Sequence, residues 1–532
     1  MKILPLAAAV FILLITSVFG VVHSTPVFAQ TATDSVADRD GTKTGTAVDA
    51  VGMTAGSPTA DDLKAAVKTE PFAAKLAHSV GQNKVGLNLA WTLVAAFLVM
   101  FMQAGFALVE TGFTRAKNAV HTMVMNISIY AIGVLGFFIC GFAIMYGAAG
   151  ANGNLGGTPA LAGGHEFVMH LFGKDFGLFG TSGFFLSGHY YDVMVAALFL
   201  FQMVFMDTAA TIPTGALAER WRLASFMVYG LFMSMILYPV FGNWAWGGGW
   251  LSQLGKNFGL GNGYVDFAGS GVVHAVGGLC GLAGAIVLGA RIGKFNRDGS
   301  VNPIQGHHIP MAILGTLILA FGWFGFNPGS MLGISGAGNL RVAMVAVNTM
   351  LASATGLLGA AIYCMIRVKK PDPTMIANGL LAGLVAITAP CAFVNPMDAC
   401  IIGLVAGLLV CFGIVAVDKI RVDDPVGAVA VHGVNGLFGM LAVGLFADGS
   451  FGTGLNGVSG AVTGLFHGGG FGQLGAQLIG MITVIIWAFG LSFLYFKLMN
   501  KIVPMRVSRE DELQGLDMPE TGVLAYPEFE LK

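Results

Sequence analysis

From about residue 85 onward the chain alternates between long apolar runs and short polar connections. Eleven runs, at roughly 88-110, 121-147, 192-217, 222-246, 265-290, 308-327, 341-366, 375-394, 398-417, 426-447 and 473-498, are each near the ~20 residues that cross a ~30 Å hydrocarbon core. Numbered in that order as spans 1 to 11, they predict an all-α membrane protein with eleven transmembrane helices.

Composition agrees. Hydrophobic residues make up 55% of the chain and charged residues 10%, against about 25% charged in soluble proteins. The formal net charge of -1 gives no sign of a nucleic-acid partner. The 78 glycines are spread through the apolar segments, where small residues let helices approach closely. The six cysteines, Cys140, Cys280, Cys364, Cys391, Cys400 and Cys411, lie in or at the edge of apolar runs and read as buried reduced thiols.

Before the spans, residues 1-29 read as a signal peptide: Lys2, an apolar core from Ile3 to Val22, and Val27-Phe28-Ala29 as a small-residue cleavage site. An uncleaved first helix is the alternative, and either puts the next segment outside the cytoplasm. Residues 30-84 read as an extracytoplasmic tether. It is Thr-, Ala-, Asp- and Gly-rich and disordered at first, with a short amphipathic helix expected between Asp61 and Ser79. The membrane domain occupies 85-500 and a cytoplasmic tail 501-532.

Loop charge fixes the expected orientation. The connections after odd-numbered spans hold Arg115 and Lys117, Arg220 and Arg222, Arg291, Lys294 and Arg297, Arg367, Lys369 and Lys370, and Lys419 and Arg421. The connections after even-numbered spans hold Lys174, Lys256 and, at a border, Arg341. By the positive-inside rule the N-terminus lies outside and the C-terminus in the cytoplasm.

Two apolar runs share a polar signature. Residues 265–289 read VDFAGSGVVHAVGGLCGLAGAIVLG, and 424–447 repeat the pattern. Counted from His274 and His432, both have Asp at minus eight, Gly at minus five, Val at minus one, Val at plus two, Gly at plus four, Leu at plus five and Gly at plus seven. So many matched offsets indicate an internal repeat. The copies lie on spans 5 and 10 and run in opposite directions, which predicts a 5+5 inverted repeat with one C-terminal helix added.

Eight residues at 1.5 Å each put either histidine about 12 Å into the membrane from its aspartate. The two histidines therefore approach the midplane from opposite sides. An ionisable residue there is costly and points to function with a named partner, and each histidine is named as the other's. Two neutral imidazoles can share one N–H···N bond and leave the other ring nitrogens facing a narrow pore. The plainer alternative is a pair of core histidines bonded to separate carbonyls. Asp266 and Asp424 can N-cap their helices, and Asp266, at the outer mouth, can also help hold a cation. His165, His170 and His189 in the outer loop of 148–191 lack the spacing of a tight metal site and read as surface residues.

These residues match a known family. The chain resembles the ammonium transporters, the Amt branch of the Amt/Mep/Rh family, over about residues 85 to 527. D266-F-A-G-S-G-V-V-H274 and R421-V-D-D-P-V-G-A-V-A-V-H432-G-V-N-G resemble the signatures of helices 5 and 10. F201-Q-M-V-F205 with G215-A-L-A-E-R220, G322-W-F-G-F-N-P-G-S330 and W246-G-G-G-W-L resemble further family motifs. The resemblance implies a pore lined by His274 and His432, a gate of stacked rings at Phe205 and Phe326, and cation recruitment by Trp246, Phe205 and Ser330. It makes 85-500 an ammonium transporter domain of a homotrimer in the inner membrane. It also implies a cytoplasmic face that can receive the nitrogen-regulatory PII protein. Retention of Trp246 and Ser330 favours the Amt branch over Rh. Two carboxylates depart from the familiar pattern: Glu110 in G105-F-A-L-V-E-T-G112 and Asp207 in span 3. Either could find a local partner or help carry a proton.

The implied function is uptake of NH4+, with deprotonation at the gate and passage of NH3 past the histidines while the proton travels separately. No enzyme activity, cofactor or metal is expected. Alternatives are an ammonium sensor on the same scaffold, an Rh-like neutral NH3 channel, and an intramembrane metalloenzyme using the two histidines. Metal catalysis usually takes three protein ligands, and no third lies at matching depth.

Overall fold

The computed structural model describes residues 38–529 apart from 41, 43, 53–56, 148–164 and 453–459. The expected signal peptide lies outside the described residues. Among the described residues, ten helices are long and apolar enough to cross a membrane. They are Pro71–Phe113, Ala116–Tyr146, Val193–Leu217, Leu223–Trp246, Ser270–Leu288, Ile309–Met331, Asn339–Arg367, Pro396–Lys419, Val429–Phe446 and Gly472–Ile502. The shorter Pro373–Thr388 takes the place of span 8 and completes eleven. Side-chain caps define several starts: Asp192 accepts from the Met194 and Val195 amides, Asp372 from Thr374 and Met375, and Asn395 from Met397 and Asp398.

Helix packing follows the two-fold pattern of an inverted repeat. Span 1 packs on span 6 and span 5 on span 10. Span 3 packs on 5 as 8 packs on 10, and 2 on 4 as 7 on 9. Span 11 lies against span 5 and the end of span 10, outside both repeats.

Four boundaries differ from those expected. Span 1 is one helix from Pro71, continuing well before residue 88. The amphipathic helix expected over 61–79 ends at Thr69, and Glu70 leaves helical geometry at φ -135° and ψ 72°. The Pro71 ring disfavours the helical region for the residue before it but suits a first helical position. Span 8 stops at Thr388 because Pro390 has no N–H to continue the ladder. Span 5 starts at Ser270, five residues late, because Gly269 turns the chain at φ +114°. The two irregular segments satisfy each other: the Phe267 and Ala268 amides donate to the Ala389 and Thr388 carbonyls. Non-helical backbone at this depth is tolerated where protein buries it.

One departure from all-α structure is a small antiparallel hairpin, β1 (Glu166–Leu171) and β2 (Lys174–Gly180). It carries His170, whose Nδ1 lies 2.5 Å from Asp175 Oδ1 at an exposed site. The Trp244 indole bonds the Leu178 carbonyl, fastening the hairpin over the span 4 to span 5 connection.

On the opposite face the tail crosses the connections after spans 1, 3 and 5. The buried Glu512 accepts from the Ile292 amide and pairs with Arg506. Asp517 accepts from the His121 amide, Glu520 from the Leu223 amide, and Tyr526 meets His307 at 3.0 Å. Beneath the tail lies a buried ion cluster. Asp423 takes two bonds from the Arg291 side chain at 2.8 and 2.9 Å, and Glu219 bridges Arg291 to Arg115. Burial opposes ionisation of Asp423, but Arg220 and Arg291 outweigh it and hold the carboxyl below its ordinary range.

Candidate functional site

The repeat signature builds the same device twice. Asp266 Oδ1 accepts from the Gly269 and Ser270 amides, and its Oδ2 from Gly271, Val272 and the Tyr264 hydroxyl. Asp424 accepts from the Gly427 and Val429 amides. The glycine at minus five is in the left-handed region in both copies, at φ +114° for Gly269 and +82° for Gly427, which favours a residue without Cβ. Each then enters a π-helical turn, Ser270–Ala275 or Val429–Val434, that carries the histidine. Such wide turns are rare and frequent at functional sites.

The glycines at plus four let the two helices cross. A Cβ on Gly278 would overlap the Gly433 backbone nitrogen, and one on Gly436 would lie 2.6 Å from the Ser270 carbonyl oxygen. That crossing brings His274 Nδ1 to 3.1 Å from His432 Nδ1, with the rings 5.2 Å apart and 25° from parallel. One nitrogen donates and the other accepts, which leaves both Nε2 atoms for other partners.

The other predicted residues extend this pair into a column. Phe326 stacks on His274 at 5.4 Å and on Phe205 at 3.9 Å, the latter at 21°. Phe205 meets the edge of Trp246 at 6.2 Å. The order is Trp246, Phe205, Phe326, His274, His432. Phe205, Phe326 and His274 are almost wholly buried, whereas Trp246 is half-buried. The Trp246 Nε1 donates to the Asp266 carbonyl at 2.6 Å, which fixes the indole over the mouth. Ser330 Oγ donates to the Phe326 carbonyl at 2.8 Å, so its lone pairs stay available as acceptors. The Asp266 carboxylate is buried, with every partner drawn from its own turn.

Two residues inside the quoted motifs, given no role there, also join the column. Trp323 stacks on His274 at 5.1 Å and is held by a bond from its Nε1 to Thr388 Oγ1. Its position three residues before Phe326 puts both rings on one helix face. Phe106 lies 6.1 Å from His432 on the other side of the pair. Beyond it a cavity of about 20 Å³ is lined by His432, Phe106, Asn378 and Glu110 among others. A larger cavity of about 650 Å³, lined by Asp424, Arg291 and Lys370 among others, shares Asn378 and Val426 with it. Among the described residues no cluster of three His, Cys, Asp or Glu could hold a metal ion.

Residues 90–526 match the Ammonium Transporter Family. The ammonium transporter Amt2 of Archaeoglobus fulgidus is 45% identical over 456 residues, 85% of this chain and 91% of that protein. The ammonium transporter Amt1 of Haloferax mediterranei is 37% identical, over 84% of this chain and 80% of that protein. Among solved structures, a sensor Amt protein is similar with a TM-score of 0.69 and 37% identity, covering 82% of this chain and 99% of that one. Candida albicans Mep2 is similar with a TM-score of 0.67 and 28% identity, covering 84% and 92%. The chain is a multi-pass membrane protein that belongs to the ammonium transporter family.

Proposed function

We propose that the protein takes up ammonium across the inner membrane through one pore per subunit of a homotrimer, with its N-terminus outside. The observation that carries this reading is the unbroken column from Trp246 through the stacked Phe205 and Phe326 to the paired histidines. Ammonium sheds water at the mouth. The faces of Trp246 and Phe205 replace hydration by cation–π attraction worth about 0.5 to 2 kcal/mol each, and Ser330 accepts one N–H. Asp266 acts through the turn it caps and the carbonyl that holds Trp246. The rings at 3.9 Å leave no passage for a hydrated ion while they stay stacked. Deprotonation at the gate sends NH3 past the histidines as they relay the proton separately. This is transport and not an enzymatic reaction. The cytoplasmic face beside the tail is where a PII protein would dock.

The test is the current in proteoliposomes on an ammonium concentration jump. The wild type should give a saturable inward current. His274→Ala should abolish it or lose selectivity, and Trp246→Ala should weaken apparent affinity by about 2- to 30-fold, the equivalent of one cation–π contact. Rapid internal alkalinisation without current would establish neutral NH3 conduction. The 37% identity to a structure titled a sensor Amt protein favours a second reading, in which ammonium is bound and reported. Saturable binding with neither current nor alkalinisation would establish that one.

A further inference from the structure

Glu110 is buried near the end of span 1 at a position outside the column. It is one of two carboxylates that no part of the ammonium path uses, and the structure separates them. Asp207 Oδ1 has no hydrogen-bond partner, and Asp207 does not line the cavity beyond the histidines. Glu110 lines that cavity together with His432 and Asn378. The cavity measures about 20 Å³, and a single water needs about 10 to 15 Å³ and two or more polar partners. His432, Glu110 and Asn378 supply the partners, while Phe106, Val109, Leu381 and Val431 wall the space.

The partners of Glu110 accommodate it in two forms. Thr214 Oγ1 lies 2.6 and 2.7 Å from the two carboxyl oxygens and 2.5 Å from the Thr211 carbonyl oxygen. A hydroxyl has one proton to give. When Glu110 is ionised, that proton serves the carboxylate. When Glu110 is protonated, the carboxyl donates to Thr214 and the Thr214 proton serves the Thr211 carbonyl. Asn126 Nδ2 donates to Oε2 at 2.7 Å in either form, and Gln103 Nε2 holds Asn126 through its carbonyl at 2.8 Å. A rotating hydroxyl thus exchanges the two forms without moving the backbone.

We propose that Glu110 is the proton acceptor on the tail side of the histidine pair, reached from His432 through one water in the small cavity. This rests on the proposed reading that the proton travels separately from NH3. His432 gives a proton to the water, the water gives one to Glu110, and Glu110 releases it to the large cavity beyond Val426. No electron moves and no co-reactant is needed. Glu110 touches no ammonium, so its removal affects charge more than ammonia.

The experiment measures two signals on the same proteoliposomes: current on an ammonium jump, and uptake of isotope-labelled ammonium with the membrane potential clamped. Glu110→Gln should lower the current about a hundredfold or more, in the range of lost acid–base groups, while uptake of label stays at the wild-type rate and internal alkalinisation appears, because NH3 then enters without its proton. Glu110→Asp keeps a carboxyl and should restore most of the current, and it carries the test if the glutamine variant fails to fold. Wild-type current in Glu110→Gln overturns the proposal and leaves the transport reading standing. Equal loss of both signals, unrescued by Glu110→Asp, also overturns it and makes Glu110 a packing residue. A wild-type protein without current overturns both the proposal and the reading it rests on.

Discussion

At the scale of single residues, the two repeat aspartates do the same work under different loads. Asp266 satisfies four amides and a tyrosine hydroxyl, whereas Asp424 satisfies two amides. Changing aspartate to asparagine leaves one acceptor oxygen and turns an NH2 group toward N–H donors. A buried donor left unpaired costs about 1 to 3 kcal/mol. Asp266→Asn should therefore destabilise the protein by more than Asp424→Asn, as read from thermal unfolding in detergent. It should also weaken ammonium binding, because the Asp266 carbonyl holds the Trp246 indole. An equal effect of the two changes would mean that Asp266 does no more than cap a helix. The aspartates and histidines stood out in the sequence, since each is a rare polar group in an apolar run. Trp323 and Phe106 did not, because nothing distinguishes a pore aromatic from a packing aromatic among 40 phenylalanines and 7 tryptophans until a histidine is placed beside it.

At the scale of elements, the repeat was legible because its offsets record backbone geometry. Asp at minus eight caps, Gly at minus five turns, and Gly at plus four permits the crossing. The π-helical turns, the shortened span 8 and the hairpin were not legible. Each depends on partners distant in sequence, such as the pairing of 267–268 with 388–389, and hydropathy records only how apolar a stretch is. The crossing makes its own prediction. Gly278→Val places a branched side chain where the Gly433 backbone already lies, and overpacking typically costs about 1 to 3 kcal/mol. Spans 5 and 10 must separate, which breaks the 3.1 Å histidine contact. The variant should still insert but lose its ammonium current. Gly475→Ala, whose Cβ would meet only the Leu260 side chain at 3.6 Å, should leave current unchanged.

At the scale of the whole molecule, the face that carries the tail is held by charge. Asp423 lies between Arg291 and Arg220, Glu219 joins Arg291 to Arg115, and the tail reaches the same cluster through Glu512, which accepts from the Ile292 amide, and Arg506, which donates to the Ala290 carbonyl. The connections after spans 1, 3 and 5 and the start of span 10 therefore meet at one point. Breaking a buried pair from one side leaves an uncompensated charge and costs about 3 to 5 kcal/mol, so Asp423→Asn should lower thermal stability by an amount of that order. The pH dependence has a definite sign. The Asp423 carboxyl titrates lower in the folded protein than in the unfolded chain, where a free aspartate titrates near pH 4. Its contribution is then complete above about pH 4 and is lost as pH falls further toward the folded value, because the unfolded chain binds the proton first. Unfolding in detergent followed across about pH 3 to 8 should show wild type and variant separated by a constant gap on the neutral side, narrowing only on the acid side. A gap that narrows instead between about pH 6 and 8 would place the stabilising ionisation on a histidine, and the cluster around Asp423 would not be what holds the tail face together.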